Sequence, residues 1–149
     1  MESLDQRIVS LLAADSSASV NDLAAALDVP ASTLHQRIKR LESRGVITGY
    51  RAVVNQAEVG LKLHALISLT PIDPARPDDI AELVAPVEAI ESCWSVAGTE
   101  SYIVKVAVED TAALEALLAR IRALANVSTR TSVILSTPFE GRQAAIPAN

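Results

Sequence analysis

The chain has 149 residues, 50% of them hydrophobic, and a formal net charge of −5. With one Trp, one Phe and two Tyr, its core must be built from Leu, Ile, Val and Ala, which argues against the aromatic stacking platforms of single-strand binders. The lone Cys93 excludes an internal disulfide, no secretory pattern precedes the first polar helix, and the longest apolar run, around 63–69, is broken by His64 and Ser68 and falls short of the ~20 residues of a membrane span, so a cytoplasmic protein with no membrane partner is expected.

In chain order, Leu4, Ile8, Leu11 and Leu12 recur at helical spacing and predict a helix over 3–14. The stretch "DSSAS" breaks it. Ser19 followed by Asp22 makes a capping-box-like start for a second helix over 20–27, whose buried face is Val20, Leu23, Ala24 and Leu27. "DVPA" reads as a tight turn, because Asp28 tolerates the left-handed conformation and Pro30 cannot continue the preceding helix. A third helix is predicted over 31–44, with Leu34, Ile38 and Leu41 facing inward and Gly45 as its stop.

That third helix carries the clearest charge signal. Between 32 and 51 stand Arg37, Lys39, Arg40, Arg44 and Arg51 against Glu42 alone, a positive stretch in an acidic chain. Charge by itself also fits a solvated helix face. The spacing decides, since Thr33, Gln36, Arg37, Arg40 and Arg44 form one stripe away from the apolar face. A helix, a short helix, a tight turn and a helix with a basic, amide-bearing stripe has the layout of a helix-turn-helix. Its last helix enters the major groove of double-stranded DNA, where Arg and Gln read base edges and flanking cations meet phosphates.

Past Gly45, "VITGYRAVVN" (46–55) is rich in β-branched residues and predicts a strand with Arg51 on its exposed side, followed by a hinge at "QAEVGLK". Then come a strand over 63–70, a turn with Pro71, Pro74 and Pro77, and a helix over 78–89 striped by Ile80, Leu83, Val84 and Val87. Strands over 91–97 and 101–108 follow, then a helix over 110–125 striped by Leu114, Leu117, Leu118 and Ile121, and a strand over 127–136. Cys93 is expected to be buried in its strand, with Trp94 on the opposite face as a packing or interface residue. Two β-α-β units in succession predict an α+β protein with a ferredoxin-like βαββαβ sandwich. Two helices cover only one sheet face. In 101–108, Tyr102, Val104, Val106 and Val108 alternate with Ile103, Lys105 and Ala107, so both faces are largely apolar and the uncovered one predicts association with another copy.

From Leu4 to about Arg142 the chain resembles the feast/famine (Lrp/AsnC) family of transcription regulators. The matching stretches are "LDQRIVSLLAAD", "RIKRLESRGVITGYRAVVN", "SVAGTESYIVKVAV" and "VSTRTSVIL" in that order, and "SVAGTESY" is similar to actinobacterial members. The resemblance implies a winged helix-turn-helix at 1–45, a strand and hinge linker at 46–62, a RAM/ACT-like ferredoxin-like domain for effector binding and oligomerisation at 63–137, and a tail at 138–149. It further implies homodimers that assemble into homo-octamers, an amino-acid effector bound between dimers, and a nucleoid-associated protein with no cofactor, metal or catalytic residue.

Carried over by position, the DNA-reading residues are Ser32, Thr33, Gln36, Arg37 and Arg40, with Lys39, Arg44 and Arg51 as phosphate contacts. The effector residues are Val96, Ala97, Gly98, Thr99, Glu100, Ser101 and Tyr102, joined by Thr129, Thr131 and Ser132 of a neighbouring subunit. The chemistry agrees: Gly98 permits a tight loop, loop N–H groups hold an α-carboxylate, and Glu100 pairs with an α-ammonium. Two departures stand out. The family's Gly-x-x-Asp-Tyr is here Gly98-Thr-Glu-Ser101-Tyr102, and Pro30 occupies the place of a Ser or Thr N-cap, with Ser32 the nearest hydroxyl to replace it.

Other chemistries find little support. His35, His64 and Cys93 are too few and too scattered for zinc, and no nucleotide-binding or hydrolase signature occurs. The reading is a sequence-specific DNA-binding transcriptional regulator responding to an amino acid or related metabolite. The alternative is an effector-independent DNA-organising protein of the same fold. An enzyme on the ferredoxin-like scaffold would need a polar catalytic constellation that the sequence does not assemble.

Overall fold

Helix boundaries in the N-terminal part fall where the backbone finds its caps. In the computed structural model, which describes residues 3–142, α1 spans Ser3–Ala14, α2 Val20–Leu27 and α3 Ala31–Ser43. The Ser19 hydroxyl accepts the Asp22 N–H at 3.1 Å and caps α2. At the other end Asp28 takes φ 55°, and the N–H groups of Asp28 and Val29 donate to the carbonyls of Ala25 and Ala24, a Schellman closure. Helix α3 ends the same way: Gly45 takes φ 70°, its N–H donates to Glu42 O, and the Val46 N–H donates to Leu41 O, both at 2.9 Å. The start of α3 is different, because Pro30 provides the extended N-cap backbone but no side-chain acceptor.

The chain divides into two compact units, one holding residues up to Val53 with the segment from Phe139, the other Val54–Pro138. The first is built on Ile8, Leu23, Ala24, Leu27, Leu34, Ile38 and Leu41, with Ile47 packed against them. Burial of side chains of this size contributes about 1.5–3 kcal/mol each. The strand expected over 46–55 does not form. The Val46 and Ile47 N–H groups close onto Leu41 O, and residues 50–54 have no ladder partner among the described residues, Val53 being 98% exposed. A β-branched run prefers a pleated, half-buried surface, and without a neighbouring strand that preference has nothing to act on. Residues 1–2 of the expected reader and 143–149 of the expected tail lie outside the described residues.

The second unit contains β1 (Leu63–Pro71), α4 (Ile80–Val84), β2 (Ile90–Ser95), β3 (Tyr102–Val108), α5 (Thr111–Ala125) and β4 (Val127–Ile134). The strands form one antiparallel sheet in the order β2-β3-β1-β4, the ferredoxin-like arrangement. Its core packs Ala65, Ile67, Leu69, Val104 and Val106 of the sheet against Val84, Leu114, Leu117 and Ile121 of the helices. The helix expected over 78–89 shrinks to five residues. Pro86 ends it early, since it lacks an N–H and its ring would collide with the carbonyl of Glu82 one turn back. Val87 still reaches the core, through a turn in which its N–H donates to Val84 O at 2.9 Å. Cys93 is exposed rather than buried, because β2 is an edge strand that the helices do not fully cover. Partial desolvation at this edge still pushes the thiol pKa upward, which disfavours the reactive thiolate.

Helix α5 begins at Asp110, whose carboxylate accepts the Ala113 N–H at 2.8 Å, and ends at Asn126 with φ 51°, the residue before β4. Asp110→Ala removes that cap and costs about 1 kcal/mol. The thermal midpoint of the sheet unit then falls by about 4–8 °C in a calorimetric scan. An unchanged midpoint would mean that this cap contributes nothing to α5.

Candidate functional site

Helical geometry sends Leu34, Ile38 and Leu41 of α3 into the first core and turns Thr33, Gln36, Arg37 and Arg40 the other way, where together they line one shallow depression of about 320 Å³. Ser32 in the first turn, Arg44 at the C-cap and Arg51 beyond it are all exposed. Lys39 stands off this stripe. Its ammonium lies 3.0 Å from Glu42 Oε2, and Glu42 also accepts the Tyr50 hydroxyl at 3.1 Å. The Lys39 bond first and the Tyr50 bond second hold the Glu42 carboxyl below its usual range. Lys39 therefore presents a partly neutralised charge.

The stripe has a partner that periodicity passes over. Asp5 on α1 is 1% exposed; one of its oxygens accepts Arg37 Nη1 at 2.8 Å and the other accepts Arg40 Nη2 at 3.4 Å. The Arg37 side chain is consequently held, with 25% of its surface exposed, while Arg40 keeps 50%. The sequence does contain the signal: an acid three residues before Ile8, on the apolar side of the first helix, needs a partner.

In the second unit, the 96–101 segment closes as a hairpin in which the Val96 N–H donates to Ser101 O at 3.0 Å and the Ser101 N–H donates to Leu69 O at 3.1 Å. Tyr102 is buried, and its hydroxyl donates to Asp78 Oδ1 at 2.9 Å, a bond that holds the phenol above its usual range. Gly98 adopts no left-handed φ, and a Cβ there would meet nothing within 4 Å, so the loop itself does not require glycine. Glu100 is already engaged: Oε1 accepts the Ser68 hydroxyl at 3.2 Å and lies 3.5 Å from Arg130 Nη2. Any α-ammonium at Glu100 would have to share it.

The residues of β4 divide between the two faces. Thr129 and Thr131 sit opposite Leu69 and Ile67 on the helix side, where Thr129 accepts Arg122 Nε at 2.9 Å. Ser132 and Arg130 sit opposite Leu66 and Ser68 on the other side. One chain thus brings Ser68, Glu100 and Arg130 together but does not gather all the predicted effector residues. Arg130, exposed amid Ser and Thr on β4, is the ligand-type group that the sequence argument did not single out. A second concavity, of about 300 Å³, is lined by Thr70, Asp73, Arg76, Asp78, Ser101 and Asn126, among others.

The sheet face away from the helices carries His64, Leu66 and Ser68 of β1, Ile103, Lys105 and Ala107 of β3, and Trp94 of β2. Trp94 is 47% exposed, and Leu66 is also exposed. Lys105 lies 3.1 Å from Glu91, which also accepts the Gln56 amide. Burial alone would raise the Glu91 carboxyl, but those bonds bring it below its usual value. The Lys105 charge is thereby neutralised within an apolar surface. Among the described residues no group of His, Cys, Asp and Glu could hold a metal ion, and no helix is long and apolar enough to cross a membrane.

Comparison with known proteins joins the two units. A family model described as winged helix-turn-helix DNA-binding matches residues 1–48, and one described as the Lrp/AsnC ligand binding domain matches 64–144. The chain is 45% identical over 143 residues to the HTH-type transcriptional regulator LrpA of Mycobacterium tuberculosis, covering 96% of this chain and 95% of that one. It is 32% identical over 151 residues to the HTH-type transcriptional regulator AldR of the same organism, covering 99% of this chain and 82% of that one. Among solved structures, a feast or famine regulatory protein from M. tuberculosis complexed with L-methionine superposes with a TM-score of 0.94 at 45% identity, covering 96% of this chain and 97% of that one.

Proposed function

The chain belongs to the Lrp/AsnC family of DNA-binding transcriptional regulators, and from that premise we propose that α3 reads a specific operator while the sheet unit senses an amino acid. The observation that carries the DNA assignment is the surface depression shared by Thr33, Gln36, Arg37 and Arg40 on the last helix of the matched reader. Gln36 and Arg40 have the amide and fork that recognise adenine and guanine edges, and Arg44, Arg51 and, more weakly, Lys39 meet phosphates. Because α3 starts without a side-chain cap, the N–H groups of Ser32 and Thr33 suit a backbone phosphate.

The open sheet face pairs two copies into a homodimer, and dimers build toward the homo-octamer. A two-fold dimer sets two α3 helices on half-sites about 34–36 Å apart. The segment 50–54, exposed and without a ladder partner among the described residues, is a second surface for the other copy. The effector is an amino acid, as supported by the L-methionine complex of a 45%-identical relative. It meets the loop of Val96, Ala97, Gly98, Thr99, Glu100, Ser101 and Tyr102, with Thr129, Thr131 and Ser132 contributed by a neighbouring subunit. The open space at Gly98 leaves room for that approach. Coupling of about 1–3 kcal/mol between the sites changes DNA affinity roughly 5- to 150-fold. Such a regulator works on the nucleoid, in the cytoplasm.

Selection of duplexes from a random pool, run beside a thermal-shift screen of the common amino acids, tests both halves. One amino acid at 100 times its dissociation constant adds about 2.7 kcal/mol to the folded state. That shift disappears in Ser101→Ala and shrinks in Glu100→Gln. A selected operator with a silent panel would replace the sensor by an effector-independent DNA-organising protein of the same fold. A pool from which nothing is enriched would end the DNA-reading assignment.

A further inference from the structure

We infer that Asp5 is a positioning residue of the DNA-reading helix, its buried carboxylate holding Arg40 beside Arg37 so that one base contact is preorganised. The inference rests on the DNA-reading assignment and adds a residue from a different helix to it. Among the described residues Asp5 is the one charged residue in the buried set, at 1% exposure, and it binds two cations that lie one turn apart on α3, Arg37 at 2.8 Å and Arg40 at 3.4 Å. A carboxylate removed from water needs such partners, and each of its oxygens takes one.

The two arginines end in different situations. Arg37 is three-quarters covered and closes on Asp5 with the shorter bond, so it anchors the carboxylate. Arg40 is half exposed and meets Asp5 through Nη2, at the longer distance. A guanidinium has five N–H donors in a rigid fork. One edge can therefore rest on Asp5 while another faces the depression that Thr33, Gln36 and Arg37 help to line. An unanchored arginine on a helix surface samples many rotamers, and binding must then order it; an anchored one has little left to lose. Asp5 accordingly acts on discrimination among sequences, whereas bulk attraction to phosphates comes from exposed cations that it does not touch.

The test compares affinity for the duplex that the wild type selects with affinity for a scrambled duplex of the same composition. In Asp5→Asn the ratio of the two falls roughly 10- to 100-fold, the range of one good bidentate base contact. The lost preference maps to the same operator position that Arg40→Gln relaxes, and the two changes combined lose no more than Arg40→Gln alone. If Asp5→Asn does not fold, Asp5→Glu, which keeps the charge but moves it by one methylene away from its place between the two arginines, takes the same measurement. A ratio that stays constant while both affinities fall together makes Asp5 a structural residue only and overturns the inference, as does a loss that adds to that of Arg40→Gln. A wild type that selects no sequence removes the underlying assignment instead, so the two failures are distinct.

Discussion

Leu34→Ala is expected to abolish operator binding by the full chain while the sheet unit remains folded. Leu34 is fully buried, at 0% exposure, in a core of seven side chains that includes Ile8, Leu27, Ile38 and Leu41. Truncating a buried leucine costs about 2–5 kcal/mol, depending on how far the site collapses around the cavity. A core this small supplies only about 3–5 kcal/mol of net stability, so the loss removes most of the margin. The sheet core shares no residue with this one. Chemical denaturation should therefore show two transitions, with the helix-rich one moved to low denaturant and the other in place. One transition, displaced as a whole, would show instead that the two cores unfold together.

The second large effect belongs to the open sheet face. Leu66 projects from a central strand, across from Lys105 on one side and Ser132 on the other. It is 38% exposed in the single chain, so Leu66→Asp should fold normally. Against a second copy the same carboxylate is desolvated, and the one cation across from it, Lys105, is already taken by Glu91 at 3.1 Å, a penalty of several kcal/mol. Mass measurement at micromolar concentration should then find monomers, against the dimers or larger assemblies proposed for the wild type. Operator affinity should fall about 100-fold or more, because linked half-sites lose their effective concentration. An unchanged mass would place the dimer interface elsewhere.

The sequence was most informative where a local rule governs a local outcome. The stripe Leu34, Ile38 and Leu41 marks the inward face of α3, and Asp28 and Gly45 take the left-handed conformations that end their helices. Alternation in β3 correctly separates Tyr102, Val104, Val106 and Val108 from the other face. Pro86 is a local signal of the same kind that the apolar stripe alone does not take into account: the stripe predicts a helix over 78–89, and α4 ends at Val84. What stayed hidden depends on neighbours distant in the chain. Nothing local says that 46–55 lacks a partner strand, that β2 lies at an edge where Cys93 is exposed, or that Asp5 meets residues 32 and 35 positions later. Gly98 misled in another way, since glycine in a loop suggests backbone conformation, and here the backbone makes no such demand.

The order of strands also bears on how the chain is made. The first unit draws its helical core from sequence neighbours, a low contact order that folds quickly. Strand β1, by contrast, lies between β3 and β4, and pairs its last residue, Pro71, with Val127. At about 5–20 residues per second of synthesis, β1 waits several seconds for its second neighbour, with Leu66 and Ile67 on a strand whose edge is unpaired. A nascent chain on a ribosome thus carries a finished reader ahead of an unfinished sheet. Copies emerging side by side on one message are most open to mistaken strand exchange in that interval, and slowing initiation should lower misassembly more than slowing elongation does.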